Sequence, residues 1–339
     1  MQRNKGGRRT GTVFTCMAML GAVFLTGLCM AGPAAQLLGA EEAKVPTMME
    51  QAKMQPGMTD ANAPPVEHPM MNPAQYTDKG KCPNCGMVLN MWARTRYHFL
   101  LGGKEQETCS IHCLAERAVR ESAEPVDVKV ALYLEPEKMI PAVQAVYVVG
   151  STAPGTMTGV SKLAFAERAA AEKFAGQYGG VVTGYDLAYQ QAVAQLDKDR
   201  GGIDAKRKKS GKIVEPTPSD LCVVCGMRPA AYPNNRAQIM TADNKTLHFC
   251  SGQCLVNFLA EPAKYVEAEV KPMFVWASVY PEAMYDYAGG LLYVVGSKAM
   301  GPMGPEPFAF RTLKQASEFT DKNGGTIVLF EKLNPGIVR

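Results

Sequence analysis

The chain has 339 residues, enough for about two domains of ordinary size. Its 36 Lys and Arg exceed its 32 Asp and Glu by four, and Arg3, Lys5, Arg8 and Arg9 at the N-terminus account for that excess. The rest of the chain is balanced, which argues against nucleic acid as a partner.

Behind the basic start, Thr10 to Ala40 carries no charge and has an apolar centre from Val13 to Ala31. A charged segment followed by an apolar run marks an exported chain. Residues 1–35 are read as a signal peptide, with cleavage near Ala31, Ala34 or Ala40, or as an uncleaved anchor in the membrane. Either way the basic flank places the remainder in the periplasm or otherwise outside the cytoplasm. Residues 36–78 are rich in Pro, Ala, Gln and Met without an apolar period, as in a disordered tether. Its methionines, Met48, Met49, Met54, Met58, Met70 and Met71, lie near His68 and could collect Cu(I) weakly or be plain spacer.

Two copies of one domain follow, at 79–196 and 220–339, with a linker over 197–219. The linker holds Gly201-Gly202, the basic run Lys206 to Lys209, and Pro216 and Pro218, and is expected to be a solvated spacer. Tyr147-Val-Val-Gly-Ser151 repeats as Tyr293-Val-Val-Gly-Ser297, and Gly179-Gly180 as Gly324-Gly325. Tyr97 to Leu101 with Glu105 to Cys109, and Ala237 to Thr241 with Thr246 to Cys250, read as β-hairpins. Ser110 and Ser251 are N-caps for helices beginning at Ile111 and Gly252. Strands are expected at Val126–Leu134 and Met273–Tyr280, and at Ala145–Val149 and Leu291–Val295. Helical spacing runs over Phe165–Tyr178 and Phe310–Lys322, each stopped by Gly-Gly. Short strands at Val181–Tyr185 and Thr326–Phe330 close the copies. The fold class is α+β in two tandem copies.

The chemistry lies in the cysteines. Of the ten, eight fall outside the N-terminal apolar stretch, and all eight belong to the repeat. The first copy has Cys82-Pro-Asn-Cys85-Gly86-Met87 and Cys109-Ser-Ile-His-Cys113. The second has Cys222-Val-Val-Cys225-Gly226-Met227 and Cys250-Ser-Gly-Gln-Cys254. A Cys-x-x-Cys-Gly knuckle presents two thiolates from a tight turn. The second pair straddles a helix start, where i and i+4 thiols face the same way and the helix terminus favours the thiolate. Outside the cytoplasm four disulfides are also open to these cysteines, but they have no need of this knuckle, hairpin and helix order. Four thiolates suit structural Zn(II). Met87 and Met227 after the knuckles, with Met157 and Met303 in later Gly-rich loops, add thioethers, which favour Cu(I). His98, His112 and His248 read as surface or satisfied histidines. No hydrolytic triad, phosphate loop or dinucleotide fingerprint is present, and the acidic residues show no paired arrangement.

Taken together, Cys222-Val-Val-Cys225-Gly226-Met227, Phe249-Cys250-Ser251, Tyr293-Val-Val-Gly-Ser297 and Gly301-Pro-Met303-Gly304 resemble the NosL family, copper-binding accessory proteins of nitrous oxide reductase maturation. The knuckle and Phe-Cys-Ser elements alone also resemble YHS and TRASH metal-binding modules. The first copy matches more loosely, with Thr108-Cys109 and Gly155-Thr-Met157-Thr. The resemblance implies a small α+β fold distantly like the organomercurial lyase MerB. It implies Cu(I) held by cysteine and methionine, and copper delivery outside the cytoplasm to the apo-reductase beside an ABC-type membrane complex. It carries Cys222, Cys225, Met227 and Met303 as ligands, and by repeat Cys82, Cys85, Met87 and Met157. Leu28 before Cys29 departs from a lipobox, and the tandem form departs from the usual single domain. A thiol redox enzyme or MerB-like lyase is the enzymatic alternative, and MerB chemistry needs an acid that the sequence does not reveal.

Overall fold

A computed structural model describes residues 80–338. The expected signal or anchor and the Met-rich tether lie outside these residues. Among the described residues no helix is long and apolar enough to cross a membrane.

The first copy builds its hairpin from Tyr97–Leu101 (β1) and Lys104–Thr108 (β2), with Leu101 opposite Lys104 across Gly102-Gly103. Tyr97, Phe99 and Leu101 are buried and His98 and Leu100 half-buried, the period of two expected of a strand with one face on a core. β2 runs directly into the helix Ile111–Glu121 (α1). Val126–Ala131 (β3) pairs with the other edge of β1, and Met139–Pro141 (β4) completes an antiparallel sheet of order β2-β1-β3-β4. Val146–Val149 (β5) is flanked by Lys162–Phe165 (β6) and Val181–Thr183 (β7). The helix Arg168–Tyr178 (α2) packs Ala171 and Phe174 against Val148, Leu163 and Phe165. Two further helices follow, Tyr185–Ala194 (α3) and Leu196–Lys209 (α4).

The second copy repeats this order with Ala237–Thr241 (β8), Thr246–Phe249 (β9), the helix Gly252–Ala260 (α5) and Pro272–Val279 (β10). Met284–Tyr287 (β11) and Leu292–Val295 (β12) precede a minimal hairpin, Met300–Gly301 (β13) with Gly304–Pro305 (β14). Phe308–Phe310 (β15), the helix Leu313–Asn323 (α6) and Thr326–Leu329 (β16) complete it. One sheet of order β16-β12-β15-β10-β8-β9, with β11 beside β10, spans this copy. Its two halves meet where the Tyr280 amide donates to the Ala309 carbonyl. The Tyr133 amide makes the same bond to the Ala164 carbonyl in the first copy, each at 2.8 Å. The two copies therefore share one architecture, and the class is α+β in tandem.

Three expectations are corrected. The helices expected from Phe165 and Phe310 begin at Arg168 and Leu313, because Phe165 and Phe310 are buried strand residues. They face Phe174 and Phe319 on the following helices, each ring pair 5.0 Å apart, so one cluster feeds both periods. The strand expected to reach Tyr185 ends at Thr183, where Gly184 caps α3. The stretch read as a solvated spacer carries α4. Leu196 is buried in the first core, Arg207 lies 4.6 Å over the Trp276 ring, and Lys208 pairs with Asp204 and Glu215. Both copies, over the described residues 80–338, fall within a single compact unit.

Candidate metal centres

Each copy brings its four cysteines together by the same local devices. In the knuckles the Gly86 and Gly226 amides donate to the Cys82 and Cys222 carbonyls at 2.8 and 2.9 Å. Both glycines sit at positive φ, +75° and +76°, which an L side chain adopts only at a cost. The hairpin then delivers Cys109 or Cys250 at the end of its second strand. Ser110 and Ser251 cap the helices by accepting from the Cys113 and Cys254 amides at 3.3 and 3.0 Å. These caps are where the serine spacing placed them.

In the first cluster the Sγ atoms of Cys85 and Cys109 are 3.5 Å apart, and those of Cys109 and Cys113 3.6 Å. In the second the separations are 3.4 Å for Cys225–Cys250, 3.8 Å for Cys250–Cys254 and 3.7 Å for Cys254–Cys225. All eight cysteines are free. A tetrahedral ion with metal–sulfur bonds of about 2.3 Å has sulfur–sulfur edges of about 3.8 Å, so both clusters can close on one metal ion. Each cluster carries one acidic thiol. Burial opposes ionisation of Cys82, but the thiols of Cys109, Cys113 and Cys85 around its sulfur hold its pKa well below the ordinary value. Burial pushes Cys109 and Cys113 well above it. The thiols of Cys250 and Cys254 lower Cys222, and their interactions with Cys222 raise their own values. A metal ion entering either cluster therefore displaces protons.

The methionines separate the copies. Met87 and Met157 pack against the first cluster. Met157 sits at φ +58°, an uncommon conformation for a long side chain, and its loop is clamped. Thr95 Oγ1 lies 2.8 Å from both the Cys109 carbonyl and the Thr156 hydroxyl. In the second copy Met227 packs against the cysteine cluster, but Met303 is 38% exposed and Met300 66% exposed on the β13–β14 hairpin. Neither joins the buried cluster.

The copies also differ in cover. All four thiols of the first cluster are 2% exposed or less, whereas Cys225 is only partly buried. A Cβ on Gly86 would stand 2.6 Å from the Tyr287 ring, and one on Gly290 would overlap the Asn84 carbonyl. The first knuckle thus lies under the second copy. A Cβ on Gly226 would meet nothing within 4 Å.

Beside the first cluster is a buried polar group that the acidic residues gave no sign of in sequence. His112 is buried, with Nδ1 3.4 Å from Asp199 and Nε2 3.6 Å from Glu116. Burial pushes its pKa down, but the Asp199 and Glu116 carboxylates outweigh this and lift it to about 10. Asn84 in the knuckle donates to Glu116 at 2.5 Å, and Arg200 on α4 donates to Glu116 at 2.7 Å. His112 is accordingly held by charge between two carboxylates rather than by hydrogen bonds to its ring nitrogens, and α4 supplies one of the two through Asp199. His248 is buried on β9, and His98 is half-buried, 4.0 Å from Glu105.

The NosL family profile matches residues 73–193 and again residues 213–338. The chain belongs to the NosL family. The two matched segments are the two copies, and α4 lies between them. No curated protein sequence matches the chain significantly. Among solved structures, the crystal structure of the copper chaperone NosL from Shewanella denitrificans is 26% identical. The match covers 37% of this chain and 96% of that one, with a TM-score of 0.33.

Proposed function

We propose that this NosL-family chain is an extracytoplasmic Cu(I) chaperone with two soft-ligand sites and no catalytic step of its own. The observation that carries the reading is the first site. There a clamped loop holds Met157, in a left-handed backbone conformation, against four buried thiols, alongside Met87. Strained backbone at a ligand-facing residue points to a role for that residue. Sulfur from both thiol and thioether suits Cu(I). The ligands proposed for each Cu(I) are drawn from Cys82, Cys85, Cys109, Cys113, Met87 and Met157, and in the second copy from Cys222, Cys225, Cys250, Cys254 and Met227, with Met303 joining only if its hairpin closes. By family analogy the acceptor is the apo-reductase of nitrous oxide reduction, served with an ABC-type membrane complex. Copper leaves by exchange, an incoming thiolate or thioether adding to Cu(I) as one of the chain's own sulfurs departs.

The test is Cu(I) stoichiometry in competition with a chelator. The full chain should bind two Cu(I), and Cys222→Ser with Cys225→Ser should bind one. Unchanged stoichiometry in that variant would refute the second site. A structural Zn(II) module is the second reading, because the thiol spacings fit a tetrahedral ion without any thioether. Zn(II) retained through purification, with no uptake of Cu(I), would favour it.

A further inference from the structure

A cavity of about 490 Å³ lies between the two copies, and the first cluster opens onto it. Cys85, Met87 and Met157 line one side, Phe274 and Trp276 of β10 the other, and α4 forms a third wall through Gly202 and Lys206. Since the cluster's thiols are buried and its knuckle lies under Tyr287, Cys85 meets open space through this cavity. The volume falls within the roughly 300–1,000 Å³ typical of small-molecule sites and is too small for a folded domain. Its lining is predominantly basic, with four cations to one carboxylate. Lys198, Lys206 and Lys212 are exposed and make no ion pair among the described residues, while Asp199, the carboxylate present, is committed to His112.

We propose that this cavity is the loading port of the first site, and that it admits Cu(I) as a complex with a small anionic thiol rather than from a docked protein. The proposal rests on the Cu(I) reading above. Shape sets the size of the carrier, the lysines its charge, and the sulfur-lined wall its chemistry. In the exchange, Cu(I) gains a cluster sulfur as it loses the carrier's thiolate. The displaced cluster proton leaves on the carrier as thiol, and copper remains Cu(I) throughout. Among the described residues the second site is more open, since a Cβ on Gly226 would meet nothing within 4 Å and Cys225 is partly exposed. A protein acceptor can reach it directly.

The test uses the full chain carrying Cys222→Ser and Cys225→Ser, so that only the first site loads. Uptake of Cu(I) supplied as its glutathione complex is followed anaerobically by stopped-flow absorption of the copper–thiolate bands. Gly202→Phe places a ring in the cavity. A Cβ there meets nothing within 4 Å, and replacing a helix-interior glycine does not threaten the fold. It should slow loading at least tenfold with the final occupancy unchanged. Lys198→Glu with Lys206→Glu should slow loading from glutathione several-fold but not from the cationic acetonitrile complex. Gly202→Phe loading at the parent rate would overturn the port, as would charge reversal that slows neither carrier or both equally. No uptake from either carrier would instead overturn the copper reading of the first site.

Discussion

The cover over the first knuckle predicts that two chemically identical substitutions have unequal costs. Gly86 and Gly226 share a backbone conformation, φ +75° and +76°, and the same hydrogen bond back to the first cysteine. Alanine at either position incurs the left-handed penalty, about 1–2 kcal/mol. At Gly226 that is the whole effect, because the new methyl meets nothing within 4 Å. At Gly86 the methyl would stand 2.6–2.9 Å from three carbons of the Tyr287 ring, closer than real Cβ contacts come. Forcing a group into packed surroundings costs about a further 1–3 kcal/mol. Gly226→Ala should therefore lower stability by about 1–2 kcal/mol and Gly86→Ala by about 2–5 kcal/mol. Urea unfolding of the metal-free full chain measures both. The decisive arm is a double-mutant cycle with Tyr287→Ala, which removes the ring and cancels its own packing loss against Trp276. In that background the excess cost of Gly86→Ala should vanish. Equal costs in the parent chain, or an excess that survives Tyr287→Ala, would show that the second copy does not rest on the first knuckle.

Burial of Glu306, whose carboxylate accepts from Asn235, raises its pKa from 4.5 to about 8. A folded-state pKa above the unfolded one contributes stability that is complete below about pH 4.5 and lost as the pH rises through about 8, so Glu306→Gln should flatten the decline over that window. Thermal melts across the window that keep the parent slope would refute this. At the first site, Met157→Leu keeps bulk but removes a sulfur already ordered against the thiols, whereas exposed Met303 must first be immobilised, at about 0.5–1.5 kcal/mol. Chelator competition should show a larger loss of Cu(I) affinity for Met157→Leu than for Met303→Leu, and the reverse order would count against a ligand role for Met157.

Much of the site was legible because its parts are local. The knuckle, the hairpin and the serine cap each depend on residues within a few positions of one another, and each formed where its motif stands. Ser110 and Ser251 illustrate this, as N-cap chemistry requires only a hydroxyl three residues before an amide. The helix starts were misplaced at Phe165 and Phe310 for a reason of the opposite kind. Those rings pack on the helix that follows without belonging to it, and apolar spacing does not distinguish the two. The His112 group was invisible in sequence because Glu116 and Arg200 are separated by 84 positions and meet only when α4 folds back onto α1. Composition misread α4 itself. A basic, Gly-containing stretch resembles a spacer unless Trp276 and Asp286 are known to stand opposite Arg207.

The difference between the two metal centres has the same origin. Motif completeness favours the second copy, which keeps Phe249-Cys250-Ser251 and Gly301-Pro-Met303-Gly304 intact. Packing favours the first, where Met157 is held against the thiols and the second copy supplies a roof. Duplication gives both clusters the same thiols and nearly the same spacings, so their intrinsic preference for metal should be similar. Beyond the placement of Met157 and Met303, what distinguishes them is the path by which a ligand can approach. That path is shaped by α4, which lies between the two family-matched segments, and by the β10 face opposite it. Exchange requires an incoming sulfur to reach the metal before the outgoing one leaves, so a wall changes the rate far more than it changes the affinity. A buried centre beside an open one can therefore retain copper and release it on different timescales without any change of ligand type.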